Sequence, residues 1–134
     1  MGSRALGALA GVYALVVDDN VDARNIFQAL LAYHGAFVVT SRSARDALRK
    51  LRQARPDVVV CDVQLGDRDA LWLLGEARKR QATTPFIAVS GLDYDEPTMR
   101  ASGFAAFLPK PVGQDRLVQL ILAAVDRKIL PRLP

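Results

Sequence analysis

Five short apolar runs, separated by stretches with apolar residues at helical spacing, constrain this chain more than any other feature. The runs are Val12–Val17, Phe37–Val39, Val58–Cys61, Phe86–Val89 and Ala105–Leu108. Each is nearly continuous, as expected of strands buried on both faces of a parallel sheet. Between them, Ile26, Phe27, Leu30 and Leu31 predict a first helix, ending near His34-Gly35, where glycine can take a left-handed cap. Ala44, Ala47, Leu48 and Leu51 predict a second, opened by Ser43 with Asp46 at the capping-box spacing. Leu71, Leu74 and Ala77 mark a third. A short fourth follows Asp93, with Glu96 at the third helical position. The fifth runs from about Gln114 to Lys128 on Leu117, Ile121, Leu122 and Val125.

Strand-helix alternation repeated five times implies a parallel sheet with helices on both faces and right-handed crossovers. A closed barrel needs eight units and about 250 residues, and this chain has 134. The expected architecture is an α/β, doubly wound (βα)5 fold. It has a five-stranded sheet in the flavodoxin-like order 2-1-3-4-5. Residues 1–11 read as an extension or linker, 12–128 as the folded domain and 129–134 as a tail. The start, MGSRALGALAG, makes a poor signal peptide because its apolar stretch is short and broken by glycine.

Hydrophobic residues at 51% and charged residues at 24% fit a water-soluble domain. No apolar run approaches the ~20 residues of a membrane span. One cysteine, Cys61, and one histidine, His34, exclude an internal disulfide and a zinc cluster. A cytoplasmic setting follows as the simplest reading. The net charge of +4 gathers on Arg42, Arg45, Arg49, Lys50, Arg52 and Arg55. With no aromatic platform beside them, these read as the solvated face of one helix, and direct nucleic-acid binding is not expected. Cys61 reads as a small buried hydrophobe facing away from Asp62, His34 as a surface or cap residue, and Trp72 as packing.

Chemistry in such sheets gathers at the carboxyl ends of the strands. Those ends carry Asp18-Asp19, Asp62, Ser90 and Lys110-Pro111. Three carboxylates brought together repel and raise at least one pKa unless a cation lies among them. A hard divalent ion with oxygen ligands is the natural neutraliser, and Mg²⁺ also accepts phosphate oxygens. Phosphoryl transfer needs positioning and charge neutralisation more than covalent help, and an aspartate can act as the nucleophile.

Asp18-Asp19-Asn20 after a strand, Asp62 after Val-Val-Val-Cys, Ser90-Gly91 and Lys110-Pro111 together resemble the response-regulator receiver family of two-component signalling, over about Val12 to Lys128. The resemblance implies that Asp62 accepts a phosphoryl group from a histidine kinase or histidine phosphotransfer protein, with Lys110 and Ser90 completing the reacting set. It implies Mg²⁺ held by Asp18, Asp19, Asp62 and the backbone carbonyl of Gln64, and a cis peptide at Lys110-Pro111. Ser90 and Phe107 would form the switch, Ser90 drawn inward and Phe107 following it. A downstream protein would then read the surface of helix 4, strand 5 and helix 5. Such a domain is a phosphoacceptor rather than a turnover enzyme. The sequence is compatible with a homodimer.

The chain departs from the family pattern at Gly66, where proline is common, in the 66–70 loop, which lacks the usual Asp-Gly ending, and at Phe107, which replaces the more usual tyrosine. Leu92, two residues past Ser90, lies near the line a hydrolytic water would take. Three other functions compete. An aspartyl-nucleophile phosphatase needs a second Asp two residues after the nucleophile, where this chain has Gln64. A flavin or nucleotide module needs phosphate donors where this chain has Asp18-Asp19. A receiver-like module that no longer accepts phosphate would lack part of the set.

Overall fold

The computed structural model describes residues 7–80 and 82–129, the side chains of 127–129 excepted. Five strands alternate with five helices: β1 (Tyr13–Val17), α1 (Val21–Tyr33), β2 (Phe37–Ser41), α2 (Ala44–Ala54), β3 (Val58–Asp62), α3 (Ala70–Lys79), β4 (Phe86–Ser90), α4 (Glu96–Ala101), β5 (Ala106–Pro109) and α5 (Gln114–Ile129). All strand pairs are parallel, in the order β2-β1-β3-β4-β5. Of the expected 129–134 tail, residues 130–134 lie outside the described residues.

Alternation along the central strands sorts the core into two layers. Val17, Val59, Cys61, Phe86 and Ala88 face α2, α3 and Met99 of α4. Ala14, Val16, Val60, Ile87 and Val89 face Phe27 and Leu31 of α1 and Leu117 and Ile121 of α5. Leu117 and Ile121 are fully buried, so either one cut to alanine costs about 2–5 kcal/mol. Leu9, in the expected extension, is also fully buried, and its N–H donates to the His34 carbonyl at 2.8 Å.

Several local expectations need correction. β2 is not buried on both faces. It is an edge strand, and Phe37 is 67% exposed with its ring against Tyr13. Ile26 on α1 and Leu71 on α3 face solvent. Phe27 and Leu31 hold α1, and Ala70, Leu73, Leu74 and Ala77 hold α3. Asp95, not Asp93, caps α4 by accepting from the Thr98 N–H at 3.1 Å, which makes Glu96 the first helical residue. Ser43 caps α2 as expected, accepting from the Asp46 N–H. The capping box stays half made, because the Asp46 carboxylate turns to Arg49 and Lys50.

Candidate functional site

The register of the sheet builds the site. Val17 pairs with Cys61, Asp62 with Val89 and Ser90 with Pro109. Asp18, Asp62, Ser90 and Lys110 therefore arrive at nearly the same height on the carboxyl edge of the three central strands and β5. Carboxylate oxygens of Asp18, Asp19 and Asp62 lie within 4.8 Å of one another. A cavity of about 550 Å³ opens beside them, lined by Asp19, Asp62, Gln64, Gly66, Ser90 and Leu92 among others. Asp18, Asp19, Asp62, Ser90 and Lys110 thus come together at this edge, Gln64 lines the cavity beside them, and Phe107 lies apart in the core.

Each side chain is held by local backbone geometry. Asp18 is buried, and its Oδ1 accepts from the Asn20 N–H at 3.0 Å. The Asn20 side chain then caps α1 by accepting from the Ala23 N–H at 2.9 Å. The Asp62 Oδ1 accepts from the Gln64 N–H at 3.1 Å. The Lys110 N–H donates to the Ser90 carbonyl at 2.7 Å, ahead of the cis bond to Pro111. The buried Ser90 Oγ accepts from the Leu92 N–H at 3.0 Å, so its own proton is left to donate elsewhere.

The Lys110 ammonium stands 3.2 Å from Asp18 Oδ2 and 3.2 Å from Asp62 Oδ2. One positive charge cannot neutralise three carboxylates. Burial pushes the Asp62 carboxyl above the ordinary aspartate range, and the Asp18 charge adds to it, against the Gln64 N–H and Lys110. Burial would lower the Lys110 pKa, but the two flanking carboxylates outweigh it and hold the ammonium above its usual value. Burial also pushes the Cys61 thiol well up, with nearby carboxylates adding, and the residue lies fully inside the core. The remaining negative charge, presented on hard oxygen atoms, fits a divalent cation held by Asp18, Asp19 and Asp62.

The structure adds residues that the sequence did not single out. The Arg24 guanidinium donates to the Asp18 carbonyl at 2.9 Å and brings a second cation to this strand end, from the first turn of α1. Tyr94, in the β4–α4 loop, meets Phe107 edge to face at 6.1 Å between centroids. Phe107 is already buried. Asp67 lashes the β3–α3 loop to α2, its carboxylate accepting from the Ala44 and Arg45 N–H groups at 3.0 and 3.1 Å. The tether anchors the loop that has Gly66 where proline is common in the family. The cap position of α2, visible in the sequence at Ser43, was the signal that acceptors were needed there; nothing local pointed to a loop 23 residues away. Trp72 packs on the core as expected, yet it also lies beside Arg45 and Arg68, whose guanidinium carbons are 6.0 and 5.6 Å from its ring centroid. The basic helix therefore does have an aromatic neighbour, one already engaged by two cations.

Residues 14–122 match the family model described as the response regulator receiver domain. An uncharacterised 14.6 kDa protein of Leptolyngbya boryana is 34% identical over 117 residues, covering 84% of this chain and 89% of that protein. The transcriptional regulatory protein ZraR of Salmonella typhimurium is 33% identical over 113 residues, which cover 83% of this chain and 26% of ZraR. The chain thus spans about a quarter of the length of that regulator. The receiver domain of the Francisella response regulator 1452 superposes with a TM-score of 0.83 at 25% identity, covering 88% of this chain and 99% of that one. A receiver domain from Clostridium thermocellum gives 0.82 at 27% identity, covering 89% and 98%. Sheet order, the carboxylate edge and the family match agree, and the chain belongs to the response regulator receiver domain family.

Proposed function

We propose that this domain accepts a phosphoryl group on Asp62 from a phosphohistidine donor, a histidine kinase or histidine phosphotransfer protein, and passes the change to a protein partner. The observation that carries the reading is Lys110 placed between Asp18 and Asp62 at equal distances. That arrangement leaves one Asp62 oxygen bonded to the Gln64 N–H and sets a fixed positive charge where the incoming group must be neutralised.

The Asp62 carboxylate attacks phosphorus in line, the donor imidazole leaves, and an acyl phosphate forms. Lys110 is close enough to follow the new charge, and the Ser90 hydroxyl is free to donate a proton to a phosphoryl oxygen. Asp18, Asp19, Asp62 and the Gln64 carbonyl would hold Mg²⁺, which supplies charge neutralisation at the phosphoryl oxygens when bound. Arg24 fixes the Asp18 backbone, keeping that carboxylate aimed at the site.

The switch runs through Ser90 and Phe107. Phe107 is buried in this state with Tyr94 edge to face against its ring, and it follows Ser90 when Ser90 turns inward. Ser90 gives up the Leu92 N–H when it turns to phosphate. The 90–95 loop then shifts, and Tyr94 on Phe107 carries the shift to α4 and β5. This is a population shift biased by one local charge change.

Intact mass after incubation with acetyl phosphate and Mg²⁺ tests the reading. The chain gains the mass of one phosphoryl group, and the Asp62→Asn variant gains none. An equal gain in both, or steady hydrolysis of a generic phosphate ester, contradicts it.

A further inference from the structure

At the opposite end of the sheet from Asp62, a groove of about 620 Å³ runs between the C-terminal ends of α2 and α3. Its volume falls in the range of small-ligand sites. Leu48 and Leu51 contribute apolar surface, and Arg52, Arg55 and Arg80 contribute three guanidinium groups. Arg80 is already paired with Glu76. Among the described residues, the guanidinium groups of Arg52 and Arg55 have no hydrogen-bond or ion-pair partner. The Asp57 carboxylate also lines the groove, with one oxygen accepting from the Tyr13 N–H at 2.8 Å.

Two further observations set this groove apart from an ordinary solvated helix end. Three guanidinium groups against one carboxylate, that of Asp57, line the groove, so its own charge is positive. And Arg55, the cap of α2, holds φ 49 and ψ 65, the one left-handed non-glycine residue among those described. Glycine takes that conformation without the Cβ clash that arginine incurs. The backbone there is strained, and strain of this kind gathers at ligand sites.

We propose that this groove binds a small organic phosphate, its apolar body on Leu48 and Leu51 and its phosphate between Arg52 and Arg55. Guanidinium suits the anion because its planar fork bonds two phosphate oxygens at once. The site is separate from Asp62 and uses none of its residues.

Phenyl phosphate, which cannot phosphorylate an aspartate as an acyl phosphate does, is a suitable probe. Calorimetric titration of the full chain, without divalent cations, compares it with inorganic phosphate. Phenyl phosphate is expected to bind about tenfold more tightly or better, from burial of the ring. Arg52→Gln and Arg55→Gly are each expected to weaken it by about tenfold or more, from loss of a charge-assisted bond. Arg55→Gly should melt at or above the wild-type temperature, which separates a ligand role from a structural one. Arg52→Gln should still take a phosphoryl group on Asp62. Equal affinity for the two probes, or unchanged affinity in both variants, overturns the proposal. So does capture of the chain by phosphatidylglycerol vesicles or an acidic peptide without binding of phenyl phosphate.

Discussion

Lys110 bridges Asp18 and Asp62 through one ammonium nitrogen, 3.2 Å from an oxygen of each, although the two carboxylates come from different strands. The bridge spans 92 residues of sequence to Asp18 and 48 to Asp62. It holds the carboxyl edge of the sheet against its own repulsion.

Removing that charge while keeping the stem exposes the repulsion. Lys110→Met is expected to lose about 1–2 kcal/mol of stability without divalent cations, less than a fully buried pair would because the lysine is partly exposed. Mg²⁺ should recover part of the loss. Urea unfolding with and without Mg²⁺ measures both. An unchanged midpoint in the metal-free variant contradicts the bridging role.

Without divalent cations, Asp62 should take up its proton early as pH falls, because burial and the Asp18 charge hold its carboxyl above the ordinary aspartate value of 3.8. Titration of the metal-free domain followed by carboxyl NMR shows this. Protonation at or below the ordinary value contradicts the crowded edge.

The Asp67 tether predicts the opposite sign. Burial acts upward on this carboxyl, but the backbone N–H groups of Ala44 and Arg45 outweigh it and hold the group below 3.8. Its contribution to stability is present above the unfolded value and is lost as pH falls through the lower, folded one. Asp67→Ala should cost about 1 kcal/mol at neutral pH, the usual value of a helix-cap acceptor. The difference from wild type should vanish at strongly acid pH. Equal melting temperatures at neutral pH contradict the tether.

Leu92 lines the cavity and is half exposed. From the cavity wall it would stand near the line a hydrolytic water takes to a phosphoryl group on Asp62. Leu92→Glu should shorten the lifetime of the phosphorylated form several-fold, followed by intact mass over time after removal of the donor. An unchanged lifetime removes Leu92 from the account.

The fold was legible because each apolar run is short, nearly continuous and followed by helical spacing, a pattern few architectures satisfy. The polar strand ends were legible for a related reason: Asp18, Asp62, Ser90 and Lys110 interrupt apolar runs abruptly. What stayed hidden depends on tertiary approach. Ile26 and Leu71 share the helical spacing of their neighbours, and only the sheet's position decides which side of a helix is buried. Asp93 and Asp95 are equally good caps by residue type, and only the folded chain shows that the second is used. Arg24 looks like any surface arginine until α1 is laid beside β1. Asp67 sits in a polar loop, and its use appears only when α2 offers free N–H groups.

The central claim is tested most directly by locating the modified residue. Borohydride reduces an aspartyl phosphate to the corresponding alcohol, and peptide mapping then reads the position. After treatment with acetyl phosphate and Mg²⁺, the account predicts reduction at Asp62 alone, dependent on Lys110. Reduction at Asp18 or Asp19, or none anywhere, would contradict it.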